Sequence, residues 1–340
     1  MRPTRLLLTA AVSGSLLLSG CGGGDEPTEE ASPAEVAEGV SLEQLQTWPL
    51  TGERVGGDGT AEKDRPVLVV KMDNTSSAAP QLGLSKADLV VEELVEGGST
   101  RLAAFFYEAL PDKVGPVRSM RATDIGIVQP VGAAVVTSGA ASQTVARIVD
   151  AGITFFNEGA PGMSRDTARS APYNLFDDLT VTAKEVEGKA ARPDDYLDWG
   201  SADDLPQGRP AAAFSAVFSA GHTTDWRSTP DGYVNDNTFA ADGDEFPAQN
   251  VLVLRVEVGD AGYTDPAGNP VPESDLTGSG PATLFHDGRM VEATWSKSAL
   301  DAPIELTTGT GKAEETLEVP AGHTWIELVP QQGGDLRVGG

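Results

Sequence analysis

Apolar residues fall along this chain in short runs broken by polar turns, and the period of each run predicts an element. Pro66 to Asp73 (PVLVVKMD) is a continuous β-rich run, which predicts a buried strand ending at the polar turn Asn74-Thr75-Ser76-Ser77. Ser85 with Asp88 three residues on predicts a short helical start with an N-cap. LVVEELV at 89–95 and LAAFFY at 102–107 read as a β-hairpin across EGGST. Strand alternation then puts Val91 and Glu93 on one face and Glu92 on the other. Ser119 is placed to cap a helix reaching Val128. Ala133–Thr137 predicts a strand, Gln143–Asp150 a helix stopped by Gly152, and Ile153–Phe156 a further strand. Thr180–Lys189 reads as a helix with Thr182 near its cap and Glu185 three residues later.

From Ala211 the texture changes to short β runs and turns. Gln249–Val256 predicts a strand, and Tyr263–Gly280, rich in Gly, Pro and Asp, predicts a long exposed loop. ATLFH and RMVEATW flank Asp287-Gly288, which signals a hairpin with a type I′ turn. LEVPAGHTWIELVP at 317–330 predicts a closing strand pair. Strand, helix and strand in the first half, followed by a strand-rich second half, predict an α+β fold.

The N-terminus has a different pattern. Arg2 and Arg5 precede an apolar run from Leu6 to Leu18 that is too short for a stable membrane span. It ends in Leu18-Ser19-Gly20-Cys21, which resembles the bacterial lipobox, where the cysteine is diacylated before signal cleavage. More than one acyl chain on Cys21 would give a stable anchor. The stretch that follows is Gly-, Pro-, Ala- and acid-rich, the composition of a disordered tether. The chain is therefore divided into 1–20, a lipoprotein signal peptide; 21–45, a disordered acidic tether; 46–195, a mixed α/β domain; and 208–338, a β-rich domain.

Composition bounds the chemistry. The 340 residues carry 24 bases against 51 acids, a net charge of −27, which argues against nucleic acid as a partner. Cys21 is the single cysteine, so no internal disulfide is possible, and with only three histidines and no HExxH or CxxC no metal or other cofactor is expected. Asp242-Gly243-Asp244-Glu245 lacks calcium-loop spacing and reads as a solvated loop. Trp295 and Trp325 read as packing residues, and His323 as part of a turn.

Against this acidic background the bases near Glu92–Arg121 stand out. Asn74, Glu93, Glu96, Arg101, Arg118, Ser119, Arg121, Asp166 and Asn174 all fall at predicted strand ends or turns, where α/β folds build ligand sites. The planar arginine fork suits carboxylate or phosphate, and Ser119 could add helix N-terminal donors. Two readings stand side by side: an anion site, and a buried Arg–Glu network that only specifies the fold. No GxSxG elbow supports a serine nucleophile.

Several segments together resemble the YerB-like bacterial lipoproteins, a two-domain family without an assigned activity. They are MDN at 72–74, GLSKADLVVEELVEGGSTR at 83–101, GPVRSMR at 115–121, RD at 165–166, APYNLF at 171–176, QNVLVL at 249–254, FHDGRMVEATW at 285–295 and PAGHTWIELVP at 320–330. At Thr137-Ser138-Gly139 the chain departs from a family pattern that often has histidine before the glycine. The resemblance implies a mixed α/β domain followed by a β-rich one. The expected protein is lipid-anchored on the outer face of the bacterial cytoplasmic membrane. It binds a cell-wall component or envelope protein and has no cofactor. The alternative is an enzyme acting on phosphodiester, pyrophosphate or glycosidic bonds of envelope polymers, with Glu93 or Asp166 as base.

Overall fold

A computed structural model describes residues 41, 44–186, 188, 192–309 and 311–339. The signal peptide, Cys21 and most of the tether lie outside them. Gln44–Gln46 forms a 3-10 turn, and the Leu45 carbonyl accepts from Ala61 N at 2.8 Å.

Strands β1 (Leu68–Asn74), β2 (Leu89–Leu94) and β3 (Thr100–Phe106) come first. Helix α1 (Asp124–Val128), β4 (Ala134–Val136), helix α2 (Ser142–Asp150) and β5 (Phe155–Phe156) follow. A flap of β6 (Met163–Arg165) and β7 (Leu175–Asp177) precedes helix α3 (Leu179–Thr182). Next are β8 (Trp199–Gly200), β9 (Arg209–Pro210), β10 (Ala213–Val217), β11 (Thr223–Thr229) and β12 (Gly232–Asn235). Then come β13 (Asn250–Thr264), β14 (Pro270–Asp275), β15 (Gly278–His286), β16 (Arg289–Lys297) and β17 (Glu305–Thr308). The chain closes with β18 (Glu315–Thr316), β19 (Val319–Pro320), β20 (Thr324–Pro330) and β21 (Asp335–Gly339). With strands dominant and short helices set beside them, the fold is α+β.

Thirteen of the described strands join one mixed sheet, ordered β18-β17-β16-β15-β13-β20-β2-β3-β1-β4-β5, with β14 on β13 and β9 on β16. A four-stranded sheet, β12-β11-β10-β21, stands apart. Alternation along the central strands divides the core. Val69, Leu89, Val91, Phe105, Ile326 and Leu328 pack on one face of the large sheet. Val70, Val90, Phe106, Trp325 and Val329 pack on the other, under Phe214, Trp226 and Tyr233 of the small sheet. Trp295 and Trp325 are both buried.

Several expectations are corrected by long-range bonding. The closing segment 317–330 does not pair with itself: β19 lies beside β8, and β20 runs parallel to both β13 and β2 in the middle of the large sheet. The segment 263–280 is not a loop but the distal part of a hairpin arm, β13–β14, with Val271 and Leu276 buried. Only its tip keeps turn chemistry, where Asp265 Oδ1 accepts from Ala267 N and Asn269 N. The arm docks on α2 through a hydrogen bond of 2.7 Å between the Tyr263 and Thr144 hydroxyls, and a bidentate Arg147–Glu273 pair.

The helix expected from Ser119 begins instead at Asp124, because the amides before it are taken by tertiary bonds. Val117 N donates to Leu175 O, Arg118 N to Lys71 O and Met120 N to Thr137 Oγ1, which holds this stretch extended. Gly115 opens it at a close approach: a Cβ there would sit 2.9 Å from Leu175 O. Asp88 does not cap a helix; its carboxylate accepts from Tyr107 N and Glu108 N. Ser85 bonds Asp244 instead, so that acidic loop is docked against the first half. Asp178, not Thr182, caps α3, accepting from Thr180 N at 3.0 Å; Lys189 lies outside the described residues. The 287–288 turn is as expected, with φ of 45° at Asp287 and 68° at Gly288, the left-handed pair of a type I′ turn.

Candidate functional site

The β2–β3 hairpin ends beside β1, and alternation there sends neighbouring side chains to opposite faces. On one face Lys71 Nζ lies 2.7 Å from Glu93 Oε1 and 2.6 Å from Asp124 Oδ1, all three side chains being fully buried. Glu96, in the turn, accepts from Arg101 at 3.1 Å and from Arg121 through Nε at 2.9 Å and through Nη2. The remaining arginine donors reach carbonyls: Arg101 donates to Ser119 O and Arg121 to Met120 O, each at 2.8 Å. Arg118 pairs through Nε with Asp73 at 2.8 Å. Four cations (Lys71, Arg101, Arg118, Arg121) thus meet four acids (Asp73, Glu93, Glu96, Asp124), and the network is electrically closed.

The titration shifts follow from that closure. Burial works against a charged Lys71, but the attraction of Asp124 and Glu93 outweighs it and holds the amine above its ordinary pKa. Burial raises Glu93, and Lys71 recovers only part of the shift. Arg101 is drawn down to about 10 by burial and by neighbouring Arg121. Burial of Glu96 is overcome by its bond to Arg121 and the charge of Arg101, which leave it below the usual carboxylate value.

The expected cluster is therefore split. Arg101 and Arg121 are only 6% and 7% exposed, and Glu96 and backbone carbonyls occupy their donors. Ser119 caps no helix; its hydroxyl lies 3.2 Å from that of Ser138. Arg118 differs: its side chain is 23% exposed, its guanidinium lies 5.4 Å from the Tyr173 ring centroid, and Asp73 is its salt-bridge partner among the described residues. Asp166 and Asn174 do not bond these arginines. Asp166 pairs with Lys113 at 2.9 Å, and Asn174 Oδ1 accepts from Arg165 on the β6–β7 flap. The flap reaches Arg118 through Tyr173 instead. Asn74 stands on the opposite face of the sheet, in register with Thr100.

That opposite face holds a second cluster, absent from the sequence reading. Glu92 and Glu327 are directly paired residues on β2 and β20, and neither has solvent exposure. Glu92 Oε1 accepts from Asn74 Nδ2 at 2.9 Å and from Thr100 Oγ1 at 2.6 Å, and lies 2.7 Å from His222 Nε2. Thr224 Oγ1 donates to Glu92 Oε2 at 3.1 Å, and Trp226 Nε1 to Glu327 Oε1 at 2.7 Å. His222, in the turn between β10 and β11, has a 12% exposed side chain. An acid inside WIELV or VVEEL was the available signal, since a charge in a wholly apolar strand must find a partner. Nothing local said that the two acids would meet.

The comparisons with known proteins bear on the whole of this fold. Residues 50–192 match the N-terminal domain of a "Protein of unknown function (DUF3048)", and residues 214–326 match its C-terminal domain. The chain belongs to the DUF3048 family. A relative, "Putative lipoprotein YerB" of Bacillus subtilis (strain 168), is 25% identical over 310 residues, covering 86% of this chain and 91% of that one. The crystal structure of the YerB protein from Bacillus subtilis has a TM-score of 0.68 to this chain at 22% identity, covering 85% of this chain and 99% of that one, which shows the shared fold. The resemblance read from MDN, GPVRSMR and FHDGRMVEATW is thus a family relationship.

Proposed function

We propose that this DUF3048 protein is a lipid-anchored binding protein on the outer face of the bacterial cytoplasmic membrane, and that it holds an anionic group of a cell-wall component or envelope protein at Arg118. Two observations support the anchor. The sole cysteine, Cys21, stands at the end of a lipobox-like segment, and the Bacillus subtilis relative carries the name "Putative lipoprotein YerB". Among the described residues no helix is long and apolar enough to cross a membrane. Replacing Cys21 with Ala is expected to move the protein from the membrane fraction to the soluble one; retention at the membrane would count against acylation.

The observation that supports the binding role is the contrast among the arginines. Arg101 and Arg121 are held by Glu96, whereas Arg118 is oriented by Asp73 and Tyr173 and keeps solvent access. A guanidinium positioned in this way can offer its outer edge to a carboxylate or phosphate. Arg118→Ala is expected to weaken binding to peptidoglycan fragments or lipid-linked precursors at least about tenfold, the scale of one charge-assisted hydrogen bond. Equal affinity of the two proteins for every such probe would remove Arg118 from the interface. Among the described residues Glu93 is engaged by Lys71 and Asp166 by Lys113, which supports the binding reading.

A further inference from the structure

The buried carboxyls Glu92 and Glu327 sit at a particular place in the sheet. The strand order puts β20 next to β2, and this is the only neighbour relation in the large sheet's described strands that joins β1–β5 to the strands of the second half. Glu92 and Glu327 are paired residues across that junction.

Their donors can be counted. Glu92 is surrounded by Asn74 from β1, Thr100 from β3, His222 from the β10–β11 turn and Thr224 from β11. Glu327 receives Trp226 Nε1 on Oε1, while its Oε2 is buried with no hydrogen-bond partner. The two carboxyls stand on directly paired residues of neighbouring strands, on the same face of the sheet. Among the described residues no lysine or arginine pairs with either one; His222 is the other titratable group in contact, and Trp325 the remaining polar neighbour. An ionised carboxylate only accepts hydrogen bonds. Two of them on paired residues in a dry core, with one oxygen orphaned, is an arrangement that like-charge repulsion and desolvation both oppose. A proton on the orphaned Glu327 oxygen supplies the missing donor and removes the repulsion.

We infer that Glu92 and Glu327 share one proton across the β2–β20 junction, and that this proton makes the junction between the two halves of the sheet sensitive to pH. Glu92 is the ionised member, because it collects the donors and the imidazole. Glu327 is the neutral acid. Release of its proton leaves two carboxylates side by side on paired strands and pushes β2 and β20 apart. His222 is the member with a solvent edge, so a change in external pH reaches the pair there first.

The titration directions agree with this geometry. Burial and the charge of Glu92 hold Glu327 well above its ordinary 4.5. Burial of Glu92 is outweighed by its bonds to His222 and Thr100, which lower it. Burial of His222 is outweighed by its bond to Glu92, which raises it. A carboxyl raised in the folded state contributes stability that is complete below the unfolded value and lost as pH rises through the folded value. A raised His222 acts in the same sense from its ordinary 6.5 upward. The junction therefore weakens with alkalinity.

Glu327→Gln tests this, because a neutral amide can donate to Glu92 without a titrating proton. Thermal unfolding is followed from about pH 5 to about pH 9, upward from the ordinary glutamate value and across the ordinary histidine value. The variant is expected to lose less stability than the wild type across that span and to exceed it at the alkaline end. Infrared difference spectra of the folded proteins are expected to show one neutral-carboxyl carbonyl stretch in the wild type that is missing in Glu327→Gln. Buried Asp177 and Asp88, raised to about 6 and about 7, contribute carboxyl bands to both proteins, so the difference between the two spectra reports Glu327. Identical pH slopes, or identical carboxyl spectra, would overturn the proposal. Should Glu327→Gln not fold, Glu92→Gln serves: with the neighbouring charge gone, the Glu327 band should disappear at lower pH than in the wild type. A band at the same pH, or none in either protein, would refute the shared proton.

Discussion

Glu92 and Glu93 are consecutive residues of one strand, both fully buried, and their surroundings are opposites. Glu93 faces Lys71, beside a network in which Glu96 binds Arg101 and Arg121. Glu92 faces a second carboxyl, neutral donors and an imidazole. Both solutions answer the same demand, since an isolated carboxylate in a dry core is too costly to keep. On the first face the compensation is fixed positive charge gathered from β1, β3 and the 118–121 segment. On the second it is hydrogen bonding plus, in our reading, a proton. The first arrangement rests on fixed cations; the second, in that reading, on a proton. This contrast also shows why the arginine-rich stretch is mostly structural: Lys71 compensates Glu93 in the strand, while Arg101 and Arg121 are taken up by Glu96 in the turn that follows it.

The comparison can be broken most directly at Lys71. Lys71→Met leaves Glu93 and Asp124 buried without their cation and is expected to cost about 3–5 kcal/mol in urea unfolding. Adding Glu93→Gln should recover part of that loss, and a single-variant cost below about 1 kcal/mol would show that the first face does not depend on fixed charge. Glu96→Gln should cost about 2 kcal/mol, because two arginines then share a weaker acceptor. On the second face Thr100→Val removes one donor from Glu92 and should cost about 1 kcal/mol. Because Glu92 is held below its ordinary 4.5, that cost should be present at neutral pH and fade as pH falls through the folded value. A pH-independent cost would mean that Thr100 acts by packing alone.

Smaller effects are expected away from the two buried clusters. The Arg147–Glu273 pair that docks the β13–β14 arm is 43% and 26% exposed. Glu273→Gln should therefore change stability by less than about 1 kcal/mol, and added salt should shrink even that. Arg118→Ala, which leaves Asp73 with its Thr75 donors, should cost about 1 kcal/mol, well below Lys71→Met. A large loss on unfolding would place Arg118 with Arg101 and Arg121 as a structural cation rather than a binding one.

Much of the local structure was legible from residue order. The period-2 runs of β2 and β3 and the glycine-bearing turn between them mark the hairpin, and Asp287-Gly288 marks the other one. The opposite facing of Glu92 and Glu93 follows from the pleat alone. The family relationship was legible too, because GPVRSMR and FHDGRMVEATW keep their residues in order. What sequence reading misassigned were segments whose backbone partners are distant. Ser119 looked like a helix cap until the 117–120 amides found Leu175, Lys71 and Thr137. The 263–280 stretch is a different case: its strand pairing is local, but its Gly, Pro and Asp content masks it, and the arm is held by a distant side-chain dock on Thr144 and Arg147.

By itself, then, the sequence determined most of the strands and their faces, the lipobox-like N-terminus and the family. Only the tertiary structure decided which charges meet. Periodicity states that a side chain is turned inward, but the neighbour it finds there depends on strand order, and β20 reaches β2 from 235 residues away in register (Glu92 to Glu327). The physical reason is that facing is set by local backbone geometry, whereas parallel pairing across such a separation is set by the burial and hydrogen bonding of the whole sheet.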